Sequence, residues 1–245
     1  MSFLIFSFGL LLGSFLNCLV YRLNEAKNWR NFFFGRSYCP KCKRNLCWFD
    51  NIPLFSFLFL KGKCRWCHSP IPWRYPLVEL ATGILSVMVY LFSVGPVVNL
   101  IFNLIIVYAL IVIFLSDLLY RTIPDQIVYP VIAIALLWLI INQQWLSILS
   151  GLGAALFFLF LVLLTCWQGM GLGDVKMAGL MGLILGFPSI IVALYLAFLT
   201  GALVGVILIL MKRKKLRSEI AFGPFLVLST LIALFWGDKI WQFFL

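Results

Sequence analysis

The sequence predicts an all-α polytopic membrane protein of about eight transmembrane helices, with a small cytoplasmic zinc-binding module between the first and second. Three observations carry this. Of 245 residues, 64% are hydrophobic and only 11% charged, with mean hydropathy +1.08. That balance leaves too little polar surface for a water-soluble domain. Apolar segments on the scale of a 30 Å hydrocarbon layer (about 20 helical residues) recur along the chain. The polar residues, by contrast, gather between positions 24 and 76, where two CxxC pairs stand.

Residues 1–21 carry no charge and form the first expected span. Arg22 follows the segment instead of preceding it, the reverse of a cleaved signal peptide. The segment therefore reads as a retained helix with its N-terminus outside. Within it, Gly9, Gly13 and Asn17 recur every four residues. A small-residue face ending in an amide points to packing inside the bundle. Further spans are expected at 77–94, 97–117, 126–142, 146–167, 174–186, 188–211 and 221–244. If these alternate, the inward connections are 22–76, 118–125, 168–173 with the adjacent Lys176, and 212–220. They hold every Lys and Arg except Lys239, as the positive-inside rule requires. The net charge of +11 then follows from orientation in a lipid bilayer and calls for no nucleic-acid partner. The expected division is a first helix at 1–23, a cytoplasmic module at 24–76 and a helical core at 77–245.

The module contains Cys39, Cys42, Cys64 and Cys67 as two CxxC pairs. A CxxC turn aims two thiolates at one cation, and two such turns complete a tetrahedral site. Inward placement means a reducing compartment, which argues against disulfides. The expected occupant is a structural Zn2+, because four protein ligands leave no open position for chemistry. Cys47 lies outside both turns, and Cys18 and Cys166 fall in spans as small buried hydrophobes. His68, the only histidine, is expected at the surface or beside the ligands. The apolar run "IPLFSFLFL" at 52–60 is too short to span. It reads as an interfacial patch or as the buried strand of a small ribbon.

Only eight acids occur. Glu25, Asp50, Glu219 and Asp238 stand in loops or near span ends, where solvated charges are ordinary. Asp117 closes the third span and Asp174 opens the sixth, both at the expected cytoplasmic boundary. Two carboxylates at one depth on different helices can face each other. A close pair does not readily ionise twice, so one keeps a proton while the other polarises water. The alternative is that each pairs with a nearby base, Arg121 or Lys176. Asp174, Ala178, Gly182 and Gly186 share one helix face that lets a neighbour approach. The stretch ending at Gly186 is too short to cross a bilayer and Pro188 interrupts it, a feature of segments that line polar cavities. Gly169, Gly171 and Gly173 allow a tight turn or the approach of an extended substrate. The helix dipole opposes negative charge at the helix C-terminus and favours it at the N-terminus. Asp117 is therefore the expected resting proton carrier and Asp174 the base. Asp125 reads as an N-cap, Glu79 as either a dipole partner or a functional group, and Lys176 as a snorkelling cation.

Several stretches together, "GSFLNCLVYRL", "SYCPKC", "WFDNIPLFSFLFLKGKCRWC", "RYPLVEL", "SDLLYRTIPD" and "GMGLGDVKMAG", run in order over nearly the whole chain. In them the sequence resembles the type 4 prepilin peptidases, competence-type leader peptidases included. The resemblance implies a membrane-embedded aspartic endopeptidase of the bacterial cytoplasmic (inner) membrane. Such an enzyme removes the short basic leader of type IV prepilins or pseudopilins on the cytoplasmic side. Asp117 and Asp174 match the catalytic aspartates, with Gly171, Gly173 and Lys176 in the loop around the second. The four cysteines match the metal-binding pairs. Relatives with this cysteine-bearing loop are typically bifunctional and also methylate the new N-terminal residue with S-adenosylmethionine. No glycine-rich nucleotide loop is visible, so methyl transfer rests on the resemblance alone. Asn51, Arg74, Tyr75 and Glu79 are the region expected to hold donor or substrate. A Ser-His triad and an HExxH metalloprotease both fail, because the lone histidine sits in the zinc module. The rivals are a cation transporter built on the paired aspartates and a methyltransferase whose aspartates are structural.

Overall fold

The computed structural model describes residues 1–25, 37–93, 95–165, 170–211 and 221–244. Cys166, Gly169, Glu219, residues 26–36 of the expected inward connection 22–76 and the expected inward stretch 212–220 lie outside these. Nine α-helices are described: α1 Ser2–Glu25, α2 Phe55–Phe59, α3 Arg74–Phe92, α4 Val97–Tyr120, α5 Asp125–Ile141, α6 Trp145–Leu164, α7 Leu172–Leu185, α8 Ser189–Leu210 and α9 Gly223–Phe244. Among the described residues, β-structure is limited to the isolated bridges Tyr38–Asn45 and Lys63–Pro70. Two compact units divide the chain, Met1–Val112 and Ile113–Leu245, so the boundary falls within α4.

Among the described residues, six helices, α1, α3, α4, α6, α8 and α9, are long and apolar enough to cross a membrane. The remaining two expected spans are shorter: α5 has 17 residues and α7 has 14. At 1.5 Å per residue α7 covers only about 21 Å. Pro188 caps the helix that follows α7, and Gly186 closes α7 itself with φ +65°, a conformation that favours glycine.

In the first unit α1 packs along α3, and the small face read from the sequence makes that contact. A methyl group at Gly9 would lie 2.9 Å from the Gly83 Cα, and one at Gly13 would lie 2.8 Å from the Glu79 Cα. The backbones therefore come close, with the small side chains of Thr82 and Ser86 beside them, as membrane helices do when small residues face each other. Asn17 Nδ2 donates to the carbonyl of Tyr75, 3.4 Å away on α3. In the second unit the closest seam joins α6 to α7, where a methyl at Gly182 would approach the Gly151 Cα to 2.6 Å. Helix α8 packs against α9, and Phe222, just before α9, meets Phe198 of α8 with ring centroids 5.4 Å apart.

The run at 52–60 forms the short helix α2 and not a strand. Phe55, Leu58 and Phe59 are 59%, 71% and 84% exposed. This excludes the buried-ribbon reading and leaves an apolar surface patch.

Candidate active site

Asp117 stands in the last turn of α4, and Asp174 is the third residue of α7. Both belong to the second unit. Asp117 is buried, and its Oδ2 has no hydrogen-bond partner among the described residues. The Gly223 N–H at the start of α9 approaches the Asp117 carboxyl. Gly223 leaves no room for a side chain there: a methyl would sit 2.5 Å from Asp117 Oδ2. Asp174 Oδ2 accepts the Gly171 N–H at 3.2 Å, fixing the carboxylate at the helix N-terminus. The two carboxyls are near enough to interact electrostatically.

The alternative of pairing with local bases does not hold. Among the described residues the salt bridges are Arg65–Asp50 and Lys176–Asp125, so neither Asp117 nor Asp174 is ion-paired. Lys176 Nζ reaches Asp125 Oδ1 at 2.8 Å and lies over the Tyr129 ring at 4.9 Å. It is thus tied across to α5 and does not snorkel alone. Asp125 is correspondingly not an N-cap. Pro124 holds the cap position without a side-chain bond, and the Asp125 carboxylate serves Lys176. Gly171 and Gly173 form the cap and first turn of α7 and not a free loop. Gly171 has extended backbone (φ −93°, ψ 163°), so it makes no left-handed turn. Among the described residues, a methyl on Gly171 would meet only the Gly173 N, at 3.9 Å. Gly173 lies against Ile123, where a methyl would come within 3.2 Å.

In the first unit, Cys39, Cys42, Cys64 and Cys67 converge, with all four Sγ atoms within 4.8 Å of one another. The two turns repeat one design. Lys43 and His68 donate their N–H groups to the carbonyls of Cys39 and Cys64 at 2.9 and 3.0 Å. Cys39 and Cys64 in turn donate theirs to the carbonyls of Arg44 and Ser69. Lys43 and His68 both close their turn with positive φ, 59° and 55°. His68 is thus an exposed turn residue and not a ligand. Cys67 Sγ and Ser69 Oγ are 3.2 Å apart, and this contact holds the Cys67 thiol down at about 6. The group can hold one metal ion, and Cys47 stays outside it.

Asn51, Arg74, Tyr75 and Glu79 all line one cavity of about 350 Å³ in the first unit, within the range of about 300–1,000 Å³ common for small-molecule sites. Ser14 and Asn17 of α1 and the metal-site residues Cys39 and Cys64 form other parts of its wall. Glu79 is buried, and its Oε2 accepts the Leu54 N–H at 2.9 Å. Helix α3 begins at Arg74, so Glu79 lies in its second turn. It anchors the loop before α2 and is no dipole partner at the helix end. Arg74 Nη2 donates to the Tyr75 hydroxyl at 3.2 Å, while its buried Nε has no partner among the described residues.

Sequence reasoning missed two residues. Asp50 reads as an ordinary solvated acid, yet its side chain is 2% accessible. It joins Arg65 at 2.7 Å and accepts the Cys47 N–H at 3.2 Å. Its signal is faint: an acid between the cysteine pairs with an arginine inside the second. Gly223 followed by Pro224 reads only as helix-start punctuation.

Two family models match the chain. The bacterial peptidase A24 N-terminal domain covers residues 7–93, and the type IV leader peptidase family covers 104–206. Among curated relatives, a prepilin leader peptidase/N-methyltransferase of Aeromonas hydrophila is 35% identical over 99% of this chain and 93% of its own length. Proteins of the same name are 32% identical in Pseudomonas aeruginosa, over 97% of this chain and 91% of theirs, and 31% identical in Bacillus subtilis, over 99% and 97%. No solved structure gives a significant match. Matched by both models and 35% identical to a relative over 99% of its own length, the chain belongs to the type IV leader peptidase family.

Proposed function

We propose that this protein removes the basic leader of type IV prepilins or pseudopilins with Asp117 and Asp174, and then methylates the exposed N-terminus. The observation that carries the peptidase reading is the pair itself. Two carboxyls on different helices interact within one unit, and among the described residues neither is ion-paired to a base. Asp117 at a helix C-terminus carries the resting proton, and Asp174 at a helix N-terminus is the base. Asp174 takes a proton from a water, whose oxygen attacks the scissile carbonyl. Asp117 donates to the carbonyl oxygen, and the carbonyl re-forms as the amine departs with a proton from the pair. Among the described residues no side chain crowds Gly171, which supports the approach of an extended leader there.

Methylation belongs to the first unit. A tetrahedron of Zn–S bonds of about 2.3 Å has an S–S edge of about 3.8 Å, and Cys39 and Cys67 Sγ lie 3.8 Å apart. Zn2+ therefore suits the four thiols, as a structural ion. The adjoining cavity is the proposed donor site, with Asn51, Arg74, Tyr75 and Glu79 in its wall. When bound there, S-adenosylmethionine supplies an electrophilic methyl group. The distribution of Lys and Arg supports an inner-membrane placement with the N-terminus outside and the zinc module cytoplasmic.

The test is cleavage of a candidate prepilin in proteoliposomes by wild type, Asp117→Asn and Asp174→Asn, followed by mass spectrometry. Loss of cleavage in both variants, with methylation of a pre-cleaved substrate retained, is expected. Cleavage by Asp174→Asn removes the peptidase reading and favours a cation transporter.

A further inference from the structure

The apolar run at 52–60 plays no part in either proposed reaction, and its helix has the reverse of the polarity that water demands. Ser56, the only polar residue of the run, is half-buried and lines the cavity wall with Phe57 and Leu60. Phe55, Leu58 and Phe59, which share one face at spacings of three and four, turn outward. A helix facing water has the opposite arrangement. The patch is continuous: Phe49 and Ile52 join Phe55 and Phe59 around one shallow surface groove. Trp48 and Trp73, both exposed, extend it beside Phe49 and Phe57, with ring centroids 5.6 and 5.0 Å apart. An exposed apolar surface of this kind marks a place of contact.

What covers the patch follows from how it is tied down. The Leu54 N–H donates to Glu79 in the second turn of α3, and Ser14 Oγ of α1 donates to the Asn51 carbonyl at 3.4 Å. Phe57 lies against Trp73, the residue that precedes α3. Ser14 and Glu79 both belong to helices long and apolar enough to cross a membrane, and Ser14 is about 12 Å along α1 from Arg22. The loop leading into α2 is therefore fastened to two spans at the level of their apolar residues, and α2 follows at once. Lys61 and Lys63, both exposed, stand directly after it. We propose that α2 lies in the bilayer leaflet on the side of the zinc module, with Phe55, Leu58 and Phe59 among the acyl chains. Trp48 and Trp73 sit at headgroup level, and Lys61 and Lys63 meet anionic headgroups. Helix α2 thereby stands between the cavity and the lipid, and the module rests on the membrane instead of hanging from α1 and α3 alone.

The experiment photo-crosslinks the full-length protein in vesicles of equal parts phosphatidylethanolamine and phosphatidylglycerol. The photoreactive residue p-benzoylphenylalanine is placed at Phe59, at Leu58 or at Phe57, and adducts are identified by mass spectrometry. Phospholipid adducts are expected from Phe59 and Leu58 and not from Phe57, which faces Trp73. Phosphatidylglycerol is expected among them in about fivefold excess, the pull of one lysine near an anionic surface. Lys61→Gln combined with Lys63→Gln should remove that excess. Adducts from Phe59 that join two copies of the chain, or that capture an added prepilin in place of lipid, overturn the proposal. A lipid yield no higher than at Phe57 does the same. An absent excess of phosphatidylglycerol, or one that survives the loss of both lysines, overturns the part given to Lys61 and Lys63. A thermal melt matching wild type verifies the fold of each labelled protein, and Leu58 decides alone if the Phe59 label fails that check.

Discussion

Replacing Gly223 with alanine tests how tightly the second unit positions the reacting carboxyls. The added methyl would lie 2.5 Å from Asp117 Oδ2 and 2.9 Å from its Cγ, whereas ordinary contacts begin near 3.4 Å. The carboxyl must therefore retreat by roughly 1 Å, or the start of α9 must move by as much. Misplacing a reacting group by about 1 Å costs on the order of 100-fold in rate, equivalent to about 2.7 kcal/mol of activation free energy. Neither Asp117 nor Gly223 belongs to the zinc and cavity unit, so zinc content and S-adenosylmethionine binding should stay at wild-type values. Single-turnover cleavage of a prepilin, followed by mass spectrometry, reads the rate, and a thermal melt reports the fold. A Gly223→Ala protein cleaving within twofold of wild type would show that the approach of Gly223 to Asp117 has no bearing on the reaction.

Gly182→Ala places a methyl 2.6 Å from the backbone of α6. It should destabilise the protein by about 1–3 kcal/mol through overpacking, read as a lowered Tm in micelles; an unchanged Tm refutes the close-packed seam. Glu79→Ala leaves the Leu54 N–H without its acceptor and should cost about 1–3 kcal/mol, visible as faster proteolysis near residues 52–60. A cleavage pattern equal to wild type counts against the anchoring role. Cys64→Ser should abolish zinc retention, measured by atomic absorption. It should also weaken S-adenosylmethionine binding, because Cys39 and Cys64 form part of the cavity wall. Undiminished donor binding by the zinc-free variant would separate the metal from the cavity.

The features that were legible in the sequence are those written locally. Apolar length announced the helices, because a backbone in hydrocarbon must satisfy its hydrogen bonds within each segment. Small residues at spacing four marked the faces of α1 and α7 that pack closely, because small residues on one face are what close helix approach needs; which helices meet them, α3 and α6, came only with the packing. The CxxC spacing gave the metal-site residues, since each turn builds half of a tetrahedron by itself. The positions of Asp117 and Asp174 at helix ends also followed from chain order.

The tertiary structure decided what depends on residues distant along the chain. Asp125 and Lys176 are separated by 51 positions, and each looked like a local device, a cap or a snorkelling cation, until they met at 2.8 Å. Asp50 looked solvated until Arg65 covered it. Glu79 looked like either a dipole partner or a functional group, and only the fold brought the Leu54 N–H onto it. Gly223 carried no sign of Asp117, more than a hundred residues earlier. Helix formation is a short-range equilibrium that each segment settles with its own residues. Which charge meets which, and which backbone comes within reach of a carboxyl, is settled only when the helices pack.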